Sequence, residues 1–139
     1  MKLLDVHGLS KSFGGVAALR QVDGHSVSGE TLGMIGPNGS GKTTFVNIVS
    51  GHVRPDGGSL NFDGLDITGK NPHQLAAIGL CRTYQAVRVF SSLSTQQNID
   101  NARLLLSHRG LDTSELSELL EWLKLDHALN KAEIGRAHV

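Results

Sequence analysis

The chain has 139 residues, enough for one domain with a core that needs no covalent staples. Its 13 basic and 13 acidic side chains cancel, and aromatics are only 4%; a partner held through nucleic-acid phosphates asks for a basic excess, and a base-stacking platform asks for aromatics. The single cysteine, Cys81, excludes an internal disulfide or a cysteine metal cluster and fits a reducing compartment.

In chain order, "MKLLDVHGLS" sets an aspartate directly after two leucines, so it offers no signal-peptide core. No apolar run approaches the roughly 20 residues that cross a bilayer, so work at a membrane is expected through docking onto a spanning partner. "LLDVHGL" and "VAALRQV" predict strands, with "SKSFGG" turning between them. "TLGMIG" predicts a buried strand feeding a loop. From Lys42, Phe45, Val46, Ile48 and Val49 form the apolar face of a helix that Gly51 stops. "RPDGGSLNFDGLDIT" predicts a turn, a short strand and another turn, and "PHQLAAIG" a helix with proline in its first position and glycine at its end.

Beyond Thr83 the pattern turns helical. "STQQNIDNARLLL" begins at a Ser94 cap, and Asp112 and Glu115 stand in a capping-box relation ahead of Leu116, Leu119, Leu120 and Leu123 on one face. There is no internal repeat and no low-complexity linker. The class is therefore α/β, with a β-rich front and a helical C-terminal third. The seven histidines show no metal-ligand spacing.

The chemistry concentrates in Gly36-Pro37-Asn38-Gly39-Ser40-Gly41-Lys42-Thr43, which fits the phosphate-binding P-loop pattern. Glycines let the backbone turn tightly, so that successive N–H groups face phosphate oxygens. The helix that follows adds its N-terminal donors and partial positive charge. Lys42 is expected to reach the β- and γ-phosphates and the Thr43 hydroxyl to bind Mg²⁺. The candidate nucleotide-binding residues are Gly36, Asn38, Gly39, Ser40, Gly41, Lys42, Thr43 and Thr44, for ATP with Mg²⁺.

"GPNGSGKTT" together with its flanks resembles the ATP-binding subunits of ABC transporters. That resemblance implies a P-loop NTPase core of the ABC ATPase type, of which this chain carries the N-terminal half. "GLSKSFGGVAAL" is similar to the segment whose aromatic residue stacks on adenine, which would be Phe13. "RTYQAVRVF" resembles the Q-loop, which would place Gln85 at the magnesium and the attacking water and turn it toward a membrane partner. Lys42 and Gln85 are thus the implied catalytic residues, with Thr43 and Gln85 at the metal. The stretch from Ser50 to Ser94 is most similar to subunits that import branched-chain and other hydrophobic amino acids. The resemblance runs from about Leu4 to Lys131 and implies a cytoplasmic protein held at the inner face of the membrane. Its partners would be a second ATP-binding subunit and a membrane permease, not nucleic acid. Residues 1–90 would carry the P-loop and Q-loop, and 91–133 would begin a helical subdomain.

The sequence departs from that family in three places. "QVDGHSVSGE" sets Gly24, His25 and Ser26 where an apolar strand is usual, which weakens the expected strand. Hydrolysis in this family also needs an apolar strand ending in an acidic pair, and an "LSGGQ"-like segment; neither occurs after Gln85. The last residues, 134–139, back-translate as ATC GGA AGA GCA CAC GTC, the start of a common sequencing adapter when AG precedes it. They are expected to be a non-native tail. On this reading the chain holds ATP without turning it over, and the alternative is a stand-alone nucleotide-binding module.

Overall fold

The computed structural model describes residues 2–86, 89–107, 115–124 and 129. The tail at 134–139 and the cap expected at Asp112 lie outside the described residues. The chain divides into two compact units, Met1–Thr83 and Tyr84–Val139.

The first unit opens with a long hairpin, β1 (Lys2–Phe13) and β2 (Val16–Val27). Both strands are longer than expected. "SKSF" was expected as part of the turn but belongs to β1, pairing Lys11 with Leu19, Ser12 with Ala17 and Phe13 with Val16. The turn itself is Gly14-Gly15, at φ 52° and 84°. Positive φ at both positions is what a two-residue hairpin requires if its turn is to follow the strand twist. The expected weakening at Gly24, His25 and Ser26 does not occur either. They pair with Val6, Asp5 and Leu4 in the same ladder, because ladder hydrogen bonds use the main chain whatever the side chain.

β3 (Gly57–Phe62) pairs antiparallel with β1, and β4 (Leu65–Asp66) folds back on β3, giving the order β2-β1-β3-β4. A register shift between Val6 and Leu9 brings both to the buried side, although they are three residues apart. They join Leu19, Ile48, Leu60, Ile67 and Leu75 in one core.

Two short helices close that core. α1 (Lys42–Val49) ends where the sequence placed its stop. Gly51 N–H donates to Ile48 O and His52 N–H to Asn47 O, the paired bonds of a Schellman cap. α2 (Pro72–Ala77) carries the expected proline in its first turn, together with a capping box between Asn71 and Gln74.

The stretch Thr31–Gly36 contradicts the expected buried strand. It belongs to no strand, and Leu32, Met34 and Ile35 are exposed, Ile35 at 96%. Among the described residues none pairs with its backbone, and without a neighbouring ladder an apolar run has neither strand hydrogen bonds nor a buried face.

In the second unit, α3 (Thr95–Ser107) starts at the expected Ser94 cap. Ser94 Oγ accepts from Gln97 N–H and Gln97 Oε1 accepts from Ser94 N–H. Asn98 bonds the main chain of Phe90, Leu93 and Ser94, fixing the turn that leads into the helix. α4 (Glu115–Trp122) half-buries Leu116 and Leu120 while Leu119 and Leu123 are exposed, as is Trp122 at 78%. Among the described residues no helix is long and apolar enough to cross a membrane.

Asp56 ties the β3 entry to β1, accepting from Lys11 Nζ at 2.6 Å and from Ser12 N–H at 2.7 Å. These donors hold its carboxyl below the ordinary carboxylate range. Lys2 does the same for Asp5, and Thr68 for Asp66. Since the folded pKa lies below the unfolded one, the unfolded state binds more protons in this range and stability rises with pH there. The contribution is complete above the unfolded pKa and is lost as pH falls through the folded values. A urea midpoint measured downward from pH 6 should therefore fall below about pH 4, near the ordinary Asp pKa, and less steeply in Asp56→Asn. In the core, Leu60→Ala should cost about 2–5 kcal/mol in urea titration.

Candidate phosphate site

The site is built where the run from Thr31 meets α1. Gly41 caps the helix at φ 90° with no side-chain cap, and the first helical bond runs from Phe45 N–H to Gly41 O at 2.8 Å. The first N–H groups of any helix lack intrahelical acceptors, and here no capping side chain takes them either. They are donors for an external anion, supported by the positive end of the helix dipole.

Gly41 must be glycine for position as well as for conformation. A Cβ there would lie 2.5 Å from Ala18 O and 2.8 Å from Leu19 Cδ2, so the loop passes directly against β2. Contact with a backbone oxygen cannot be relieved by rotating a side chain. The same approach connects the site to the core, since Leu19 is one of its buried members.

The Lys42 ammonium folds back over the loop. Its Nζ donates to Gly36 O at 2.7 Å and to Pro37 O at 2.7 Å, with Ser40 Oγ at 3.4 Å. It is thereby concentrated in the mouth of the loop rather than extended into solvent. Asn38, Gly39 and Ser40 are exposed on the loop's rim. Thr43 is exposed on the first turn of α1, and Thr44 beside it is half-buried. Beside the loop lies a cavity of about 450 Å³, lined in part by Leu19, Val22, Met34, Gly36, Lys42 and Phe45.

This donor set suits a polyphosphate: main-chain N–H groups, one ammonium and a hydroxyl, with no carboxylate in the loop to repel it. Thr43 offers a hard oxygen of the kind Mg²⁺ prefers. Among the described residues no group of three histidine, cysteine or acidic side chains could hold a metal by itself. A magnesium ion here would have to be shared with phosphate oxygens.

The loop thus gathers Gly36, Ser40, Gly41, Lys42 and Thr43 directly. Phe13 stands at the end of β1, 50% exposed, and does not line the cavity. Lys11 Nζ lies 5.4 Å from its ring centroid, within cation–π range. Gln85 is exposed and belongs to the second unit.

Sequence reasoning missed two groups. Lys11 and Phe13 share a strand face at a spacing of two, a signal present but unread. Arg82 is tied to Asn47 across 35 residues, and no spacing rule reaches that far.

A family model described as ABC transporter matches residues 19–137. The chain is 40% identical over 140 aligned positions to a probable branched-chain amino acid transport ATP-binding protein, LivG, of Archaeoglobus fulgidus, covering 91% of this chain and 54% of that one. It is 38% identical over 119 to the high-affinity branched-chain amino acid transport ATP-binding protein BraF of Pseudomonas aeruginosa, covering 86% and 45%. Among solved structures, the ADP conformation of an ATP-binding cassette of an ABC transporter superposes with a TM-score of 0.76 at 29% identity. That match covers 98% of this chain and 60% of the other. A nucleotide-free cassette matches at 0.74 and 28%, covering 97% and 60%. The chain spans about half the length of the curated relatives it matches.

Gly41→Ala should force the loop off Ala18 O, costing about 1–3 kcal/mol of stability. It should also weaken binding of inorganic triphosphate, read by titration calorimetry. Unchanged stability and binding would mean that the loop need not approach β2.

Proposed function

The chain belongs to the ABC transporter family, and on that footing we propose that it is the nucleotide-holding part of an ATP-binding subunit. The parent subunit would couple ATP binding and hydrolysis to import of branched-chain amino acids or similar solutes. Support for the solute class comes from the names of the relatives. Support for the nucleotide comes chiefly from one observation: a single loop brings the Lys42 ammonium and the uncapped N-terminus of α1 to one place.

On binding, the Lys42 ammonium would donate to phosphate oxygens in place of the Gly36 and Pro37 carbonyls, an exchange of neutral acceptors for charged ones that strengthens each hydrogen bond. The main-chain donors of the α1 first turn fix the phosphates' orientation. Thr43 would hold Mg²⁺, which neutralises phosphate charge when bound. The half-exposed Phe13 ring is offered to adenine, with Lys11 on the ring steadying it. A second ATP-binding subunit and a membrane permease are the proposed partners, at the inner face of the membrane.

Within these 139 residues no apolar run ends in an acidic pair and no Ser-Gly-Gly-Gln run occurs. The chain by itself is therefore proposed to bind ATP without turning it over. Phosphoryl transfer depends on positioned charge around the phosphates, and those residue types supply it in this family. The observation also keeps alive the reading of a binding module without catalysis.

Lys42→Ala should weaken binding of a fluorescent ATP analogue at least about tenfold, roughly 1.4 kcal/mol, while leaving the unfolding midpoint near wild type. Equal affinity would overturn the phosphate site. Phosphate release by the wild-type chain should stay at background; release abolished by Lys42→Ala would overturn the proposal that the chain only binds.

A further inference from the structure

The entry to β3 is tied to the end of β1 through one side chain. Asp56 N–H donates to Ser10 O at 2.9 Å, and the Asp56 carboxylate accepts from Ser12 N–H at 2.7 Å and from Lys11 Nζ at 2.6 Å. Main-chain bonds on both sides of Lys11 therefore fix Asp56, and the ammonium comes to a fixed acceptor. Only 16% of the Lys11 side chain remains in solvent. A lysine held in this way has given up most of the rotamer freedom that an exposed one keeps.

The pinned ammonium lies over the Phe13 ring, 5.4 Å from its centroid. Phe13 ends β1 beside the Gly14-Gly15 turn, where a half-exposed ring would otherwise move among its staggered rotamers. Cation–π attraction favours the rotamer that keeps the ring under Lys11. The Asp56 carboxylate offsets the ammonium charge, so Lys11 adds little net attraction for phosphate. Its effect falls on the ring.

The hairpin brings that ring toward the phosphate loop. Phe13 pairs with Val16 across the turn. Val16 to Ala18 is two residues, about 7 Å along a strand, and Ala18 O is the atom that a Cβ on Gly41 would strike. A nucleotide with its phosphates on the loop would extend its base over that distance.

We propose that Lys11, anchored by Asp56, is a positioning residue for the nucleobase: it covers one face of the Phe13 ring and holds the ring out to stack on the base of a nucleoside triphosphate. The proposal rests on the reading of Phe13 given above and adds to it the two residues that aim the ring.

The test is titration calorimetry of the 139-residue chain with Mg-ATP and, separately, with inorganic triphosphate and Mg²⁺, so that the ratio of affinities isolates the base. Wild type should prefer ATP by at least about tenfold, and Phe13→Leu should remove most of that preference. Lys11→Met keeps the length of the side chain without its charge, and should lower the preference about threefold to tenfold. Lys11→Arg should retain it, since a guanidinium also bonds a carboxylate and stacks on a ring. Asp56→Ala should lower it as Lys11→Met does, because an unanchored ammonium leaves the ring. In the Phe13→Leu background, Lys11→Met should change the ratio no further. A merely structural pair would weaken both ligands together and leave the ratio at its wild-type value, and that overturns the proposal. A ratio lowered equally by Lys11→Met with and without Phe13 also overturns it. If wild type binds triphosphate as tightly as ATP, the stacking reading and the proposal fall while the phosphate site stands. If wild type binds neither ligand, all three fall.

Discussion

The structure turns on one close approach, the backbone of Gly41 against the carbonyl of Ala18. Because no Cβ intervenes, α1 starts directly on β2, and Leu19 of that strand is both core and cavity wall. The hairpin, the helix and the loop are therefore one packed object. Ile48 from the helix meets Val6, Leu9 and Leu60 from the sheet, so the energy that buries the core also aims the first-turn N–H groups. A candidate phosphate site made mostly of main-chain donors has no other means of holding its shape.

Most of the candidate site was legible in the sequence because its requirements are local. A P-loop is a run of consecutive residues whose backbone does the work, so spacing alone carries the signal. The Ser94 cap, the Pro72 start and the Gly51 stop were legible for the same reason: each satisfies donors or acceptors within one turn. Strand status is different. Thr31–Gly36 has the composition of a buried strand, yet becoming one needs a neighbour to pair with, and composition says nothing of neighbours. The reverse error occurred at Gly24–Ser26, where poor strand composition was outvoted by β1 already lying alongside.

Side-chain meetings across long sequence separations were beyond reach. Arg82 beside Tyr84 and Gln85 looks like part of a motif, but its two acceptors come from a helix 32 and 35 residues earlier. Only the folded core brings them together. Lys11 and Asp56 illustrate the same point, 45 residues apart at 2.6 Å.

The distribution of aromatic side chains has a consequence for optical work. The only tryptophan, Trp122, and the only tyrosine, Tyr84, both fall in the second unit. The first unit, with its buried core and the phosphate loop, contains neither. Tryptophan and tyrosine emission therefore originates wholly outside the part of the chain that carries the candidate site, and with Trp122 exposed its colour begins close to that of an unfolded chain. The first unit is spectroscopically dark in this respect, and one tryptophan placed in it would supply a reporter with no native background inside that unit.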